Sequence, residues 1–444
     1  MFKTLKNAWR IPELKKKLLF TLLIVVLYRL GANIPVPYVD PAIFQNASAI
    51  TSGTILHYLN ILSGEALGKA TLLALGVSPY ITASIVIQLL TVAIPVFERW
   101  AKEGEEGKKK INVATRITTV ILALVTAIGY AFYLERGLQN MDGTVTPCLT
   151  VENPTFFHYA VIVCCYCAGA ALVMWLAEKI NESGIGNGIS IILFANIIAG
   201  LFSGAQTMWD SIFTVNGFSW VGLILVIVEI LVLLGLVMLV VWMSDGERRI
   251  QIQYAKRVVG RKMYGGQNTN LPIKVNMAGV MPIIFSNSIV AILPTIASFI
   301  PTSGFGKWVT KWFNYNTWPY LIVFLILLIA FAYFYVAISF NPVEVANNIK
   351  NNGGAIPGIR SGRPTVEFIK KVLRRITLVG ALLVAFIACF PMVVNNISTM
   401  FNFTGFAALA FGGSSLMIVV GVALETAREL EAQMTLRNYK GFLD

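Results

Sequence analysis

Residues 76–95 read GVSPYITASIVIQLLTVAIP. As a helix rising about 1.5 Å per residue, this stretch matches the roughly 30 Å hydrocarbon core of a bilayer. It carries no charge, yet it contains Ser78, Thr82, Ser84 and Gln88. At about 100° per residue, Ser78, Ile81, Thr82, Ile85, Gln88 and Leu89 share one broad face, and Pro79, Ala83, Val86, Ile87 and Leu90 fall largely on the other. The apolar face suits lipid or neighbouring helices. The mixed face has two readings, hydrogen bonds to other helices or the wall of a wet path. Ile81 and Ile85 amid polar neighbours favour the second, because branched apolar residues in a polar path form a constriction that seals by dewetting.

The rest of the chain has the same character. Of its 444 residues, 56% are hydrophobic and 13% charged, which excludes a soluble globular protein and defines a polytopic membrane protein. Apolar runs near bilayer length occur at 18–32, 72–94, 113–134, 156–176, 189–202, 220–242, 277–300, 320–340, 376–394 and 406–424. The expected fold is therefore all-α, with ten transmembrane helices. The first run follows Lys15, Lys16 and Lys17 as a signal peptide would. No small-residue cleavage site comes after it, so it counts as a span.

Basic residues set the orientation. They cluster at the N-terminus (Lys3, Lys6, Arg10, Lys15, Lys16, Lys17), at 99–110, at 248–274 and at 350–375. If every run crosses once, all four clusters fall on one side, which is then the cytoplasm, and both termini lie there. The opposite loops keep only Lys69, Arg136, Lys307 and Lys311. The net charge of +13 is thus a cytoplasmic property, suited to anionic phospholipid or to an acidic or nucleic-acid-bearing partner.

Two cytoplasmic loops, 244–275 and 341–375, are too long for simple connectors. In the first, RRIQIQYAKRVVGRKM (248–263) alternates over 250–254 and predicts a projecting hairpin strand. In the second, NNGGAIPGIRSGRP (351–364) fixes a turn around Arg360. The first outer loop contains GTILHYLNILSG (53–64), in which Ile55, Leu59 and Leu62 have helical spacing. This helix is too short to cross, and it is expected to tuck back inside the protein. The runs divide five and five at the polar stretch 203–219, read as an outer hinge loop. An odd number of spans per half makes any structural repeat an inverted one.

Other candidate chemistry is thin. GEALGKAT (64–71) has three residues between its glycines where a phosphate loop needs four, and Ala70 follows the lysine where Ser or Thr would hold magnesium. ESGIGNGIS (182–190) reads as a flexible turn with Asn187 at a helix start. With His57 and His158 alone, and no Cys/His pair at ligand spacing, no metal or cofactor is expected. Cys164, Cys165 and Cys167 share one span, where small polarizable residues pack helices; Cys389 lies in another and Cys148 in an outer loop. No nucleophile–base pairing is evident, so no enzyme is expected. Arg29 near the outer end of its helix is able to snorkel, whereas Glu229 in mid-span must face protein or water or be protonated.

Taken in order, LGVSPYITASIVIQLL (75–90), GIGNGISIILFANI (184–197), YAKR (254–257), LPIKVNMAGVMPIIF (271–285), NPVEVANN (341–348), PGIRSGRPT (357–365) and GGSSLMIVVGV (412–422) resemble the signature segments of the SecY family, the channel subunits of the bacterial preprotein translocase. The resemblance runs from the basic N-terminus to about residue 425. It implies two inverted five-helix halves around an hourglass pore, 1–202 and 220–425, with a cytoplasmic tail at 426–444. The implied pore ring is Ile81, Ile85, Ile189, Leu193, Ile284 and Ile418. Gln88 and Asn287 would edge a lateral gate, and a plug near 54–63 would include Ile55, Leu59 and Leu62. Arg257 and Arg360 would dock the SecA motor ATPase or the ribosome. The small membrane subunits SecE and SecG are implied as partners, with signal sequences and unfolded or nascent polypeptides as cargo. Implied too is the cytoplasmic (inner) membrane as location.

Two positions depart from the family pattern: Ser361 where proline is frequent, and Leu193 where isoleucine is usual, a swap that conserves volume. The rival classes are a small-solute transporter, which inverted halves also suit but which needs ion-coordinating carboxylates beyond Glu229, and an insertase without a through-pore.

Overall fold

A chain in lipid must satisfy its backbone polar groups internally, and the apolar runs do so as helices. The computed structural model describes residues 2–40, 60, 63–136, 138–139, 145–146, 148–151, 154–214, 217–218, 220–254, 257–259, 262–264, 268–299, 303–313, 317–400 and 413–440. Among the described residues the helices are α1 (Phe2–Arg10), α2 (Pro12–Gly31), α3 (Ser78–Ala93), α4 (Pro95–Lys102), α5 (Glu105–Arg136), α6 (Phe156–Ser183), α7 (Gly188–Ile212), α8 (Trp220–Asp245), α9 (Met281–Phe299), α10 (Gly304–Trp312), α11 (Trp318–Ser339), α12 (Pro342–Asn351), α13 (Arg363–Met400) and α14 (Gly413–Lys440). A helix overlaps each of the ten apolar runs. Five described helices, α5, α6, α8, α11 and α13, are long and apolar enough to cross a membrane, and α3 with α4 makes a sixth if the bent pair is one span. The apolar parts of α7 (Gly188–Gly200) and α9 (Met281–Ala297) are shorter. α2 opens with charged residues and α14 becomes charged after Leu424.

Several boundaries differ from the sequence reading. The helix of the second run begins at Ser78, not at 72, because the chain turns through 72–77 with Gly76 in the left-handed region at φ 55°. That turn lies against α6: a Cβ on Gly169 would sit 1.9 Å from the Leu72 carbonyl oxygen, so only glycine fits there. At the other end the backbone goes extended at Ile94, the conformation favoured before proline, and α4 leaves at 98° to α3. Residues 203–219 are not a loop throughout. α7 continues to Ile212, and the turn is confined to a hairpin of β3 (Phe213–Thr214) with β4 (Gly217–Phe218). A second short hairpin pairs β1 (Leu138–Gln139) with β2 (Val145–Thr146).

The two long basic loops build one body. β5 (Glu247–Tyr254) pairs antiparallel with β8 (Asn268–Lys274), and the tip between them is the hairpin of β6 (Arg257–Val259) and β7 (Lys262–Tyr264). The other edge of β5 takes β9 (Gly354–Ala355) from the second loop. Ile250 and Ile252 alternate inward and cluster with Ile273, Ile349 and Ile369, as period-two patterning requires. The 341–375 segment is therefore mostly structured: α12, then β9, then the start of α13. The tail is helical as far as Lys440, and its beginning is docked. Leu430 packs with Ala8, Leu14 and Ile185, while Arg428 bonds the Ser244 carbonyl at 2.7 Å and the Asp245 carboxylate at 2.6 Å. The 182–190 turn is packed and not free. Ile185 is buried, Asn187 Oδ1 accepts from the Ile189 N–H at 3.1 Å, and Asn181 Oδ1 accepts from the Gly188 N–H at 2.7 Å.

Candidate functional site

Four helices converge on one apolar cluster. Ile81 and Ile85 come from α3, Leu193 from α7, Ile284 from α9 and Ile418 from α14. All five are buried in the same cluster, and Ile189 packs on its edge, half-buried. Ile81, Leu193, Ile284 and Ile418 also line one cavity, whose polar wall is Ser63, Ser78, Asn287 and Ser288. Aliphatic side chains from four helices that meet in the wall of one small cavity are an arrangement able to hold back water and ions without a covalent door.

The polar residues of α3 behave differently from either expected role. Thr82 Oγ1 donates to the Ser78 carbonyl at 3.0 Å, Thr91 Oγ1 to the Gln88 carbonyl at 2.6 Å, and Gln88 Nε2 to Ser84 Oγ at 3.4 Å. They bond back into their own helix, as hydroxyl side chains in apolar helices do. On α9, Ser286 and Ser288 do the same, bonding the Pro282 and Ile284 carbonyls at 2.7 and 2.8 Å. Asn287 is the exception. It is 2% exposed, and no protein group bonds either end of its amide. A hydrogen bond between Gln88 and Asn287 across the α3–α9 seam is absent. Of the two options for the apolar face of α3, Pro79, Ala83 and Ile87 take burial against protein, while the large apolar residues Val86, Leu89 and Val92 are exposed.

A second cluster escaped the sequence reading. Arg29 does not snorkel outward. Its Nη1 donates to the Gly64 carbonyl at 2.9 Å and its Nη2 to the Ala195 carbonyl at 3.4 Å. Beside it, Asn196 Nδ2 donates to the Tyr28 hydroxyl oxygen at 2.9 Å. Gly64 takes φ 67°, and a Cβ there would lie 2.8 Å from both Arg29 and Asn196. The link thus joins α2, α7 and the buried turn at 63–77, which carries Ser63 to the cavity wall. Arg29 in an apolar run was the available signal. What it bonds was not, since backbone carbonyls have no sequence signature.

The remaining candidates are dispersed. Arg360 is exposed at a turn framed by Gly358 at φ 80° and Gly362 at φ 106°, and its carbonyl accepts from Thr365 Oγ1 at 2.9 Å. Arg257 opens strand β6 at the hairpin tip. Ile55, Leu59 and Leu62 lie outside the described residues. Glu229 is buried on α8, so it faces protein. Cys164 is exposed on α6, contrary to a packing role, while Cys165 and Cys167 are half-buried. His158 caps α6, its Nδ1 accepting from the Thr155 N–H at 3.1 Å.

A helical membrane protein whose helices bring aliphatic side chains together around one small internal cavity has the makings of a channel. A family model described as SecY matches residues 71–427. The chain is 44% identical to the protein translocase subunit SecY of Streptomyces coelicolor and 38% identical to that of Halalkalibacterium halodurans, each over 100% of both chains. Its fold is similar to a solved protein-conducting channel, with TM-score 0.64, 19% identity and 96% of both chains covered. It is likewise similar to Sec61 in a canine ribosome–channel complex, with TM-score 0.61, 18% identity and 96% of both chains covered. The chain belongs to the SecY family. It is a translocation channel subunit and not an enzyme.

Proposed function

We propose that all ten helical runs cross the cytoplasmic membrane with both termini in the cytoplasm, in two inverted halves, 1–202 and 220–425, hinged at 203–219. Unfolded secretory chains pass between the halves, and apolar signal or membrane segments leave sideways into lipid between α3 and α9, where Gln88 and Asn287 edge the gate. Ile81, Ile85, Ile189, Leu193, Ile284 and Ile418 form the seal, and a plug near 54–63 closes it from outside. The observation that carries this reading is the meeting of aliphatic side chains from four helices around one cavity that Ser63, Ser78, Asn287 and Ser288 also line. Energy comes from outside the chain: SecA or the ribosome docks on the basic body that holds Arg257 and Arg360, while SecE, SecG and anionic phospholipid complete the assembly. The ribosome complex of the canine structural neighbour supports the docking side of this proposal.

The seal is tested by Ile85→Asn with Ile284→Asn. Two buried amides in place of two buried isoleucines favour water in the constriction, so resting ion conductance in planar bilayers rises. Unchanged conductance from folded protein removes both residues from the seal.

A further inference from the structure

α10 sits in the connection between α9 and α11. Ser303 caps it, its Oγ accepting from the Gly306 N–H at 3.0 Å. Gly306 and Val309 are buried where α10 meets α9. On the adjoining side, Phe305, Trp308 and Trp312 recur at i, i+3 and i+7 and are 46%, 53% and 48% exposed. Lys307 and Lys311 are exposed as well, and at about 100° per residue they border the aromatic stripe on the side away from Gly306 and Val309. Three large aromatics on one face of a two-turn helix are an apolar patch that water does not favour. A helix this short cannot cross the bilayer. An exposed aromatic stripe bordered by lysines is the composition of a helix lying in the lipid headgroup layer, with the rings at the acyl boundary and the long lysine side chains reaching the phosphates. The flanking helices support that depth. Exposed apolar stripes run along α9 at Ile292, Leu293 and Ile296, and along α11 at Trp318, Ile322 and Ile326, so the helices that α10 joins each present a face suited to lipid.

We infer that α10 is an interfacial anchor: Phe305, Trp308 and Trp312 enter the membrane interface and Lys307 with Lys311 select anionic phospholipid. α9 carries Ile284 and Asn287, so the anchor ties the end of a seal helix to the surrounding leaflet. The inference deepens the proposed function, which names anionic phospholipid without a site for it, and the identity of the leaflet, the outer one, rests on the proposed topology.

The test places p-benzoylphenylalanine, an aromatic of similar size, at Phe305, Trp308 or Trp312 in the full-length protein in its native membrane, followed by irradiation and mass spectrometry. Phospholipid adducts are expected at 308 and 312 at several times the yield at 307, with phosphatidylglycerol and cardiolipin enriched over their bulk share. Lys307→Gln with Lys311→Gln should return the adducts to the bulk headgroup ratio. Adducts to protein, from another subunit or a second copy, or yields no higher than at 307, overturn the lipid contact. Adducts at the bulk ratio in the parent chain overturn the anionic selection. Lys307→Cys labelled in intact cells by an impermeant maleimide, above the parent chain, supports the outer leaflet. Absence of labelling overturns the topology, and the adducts judge the lipid contact separately.

Discussion

Asn287→Leu should lock the channel more firmly shut. Asn287 is 2% exposed on α9, lines the central cavity and has neither end of its amide bonded by a protein group. Leaving a buried amide unbonded costs about 1–3 kcal/mol relative to an apolar side chain of similar shape. With α3 and α9 as the proposed gate, the cost falls on the packed arrangement described above, because parting the two helices opens the seam and gives the amide solvent or substrate to bond. Removing about 1–3 kcal/mol from the closed state shifts the closed-to-open ratio by roughly 5–150-fold. Gln88→Leu should do much less, since Gln88 is half-buried and bonds only Ser84 of its own helix at 3.4 Å. A weak polar contact of about 0.6 kcal/mol corresponds to about threefold. The assay is export rate in cells for a series of signal sequences of graded hydrophobicity. Asn287→Leu should slow the weakly hydrophobic signals most, with Gln88→Leu close to the parent and the double variant close to Asn287→Leu. Equal effects of the two single variants, or a slowing that does not depend on hydrophobicity, refute the assignment of the cost to Asn287.

Arg29→Met keeps the stem of the side chain and deletes the charged bonds to Gly64 and Ala195, each about 1.5–3 kcal/mol for a charged donor. The turn at 63–77 should loosen, seen as faster amide exchange at residues 64–71 and raised resting conductance; unchanged exchange there rules out the link. Arg360→Glu reverses a charge at an exposed turn, so thermal stability should stay within about 0.5 kcal/mol while motor-driven translocation in vesicles slows. A normal rate removes Arg360 from the docking surface.

Hydropathy and period located the helices because both signals are consequences of the solvent: a bilayer demands about twenty apolar residues, and β5 demands alternation. The residues proposed for the seal were also visible, since Ile81 and Ile85 stand out among Ser78, Thr82 and Gln88, and both are buried in one cluster with Leu193, Ile284 and Ile418. Helix ends were less visible. The bilayer ends the apolar run but not the helix, so α5, α13 and α14 continue into charged residues, and α3 starts late because glycine at 76 turns the chain first.

Which face of a helix meets lipid was not visible either, for a definite reason. Lipid tails are as apolar as leucine, so burial against protein and exposure to lipid select the same residues. On α3 the wheel therefore grouped Val86, which is exposed, with Ile87, which is buried. What separates the two sides is size and polarity at close approach. Gly169 admits the Leu72 backbone, Gly64 admits Arg29 and Asn196, and the hydroxyls of α3 bond back to their own carbonyls. Polar residues satisfied in this way leave a helix free to slide or part from its neighbour without breaking interhelical bonds. A seam built so, with Asn287 as its one unsatisfied amide among the described residues of α3 and α9, is held by packing alone, and packing is what an arriving apolar segment can replace.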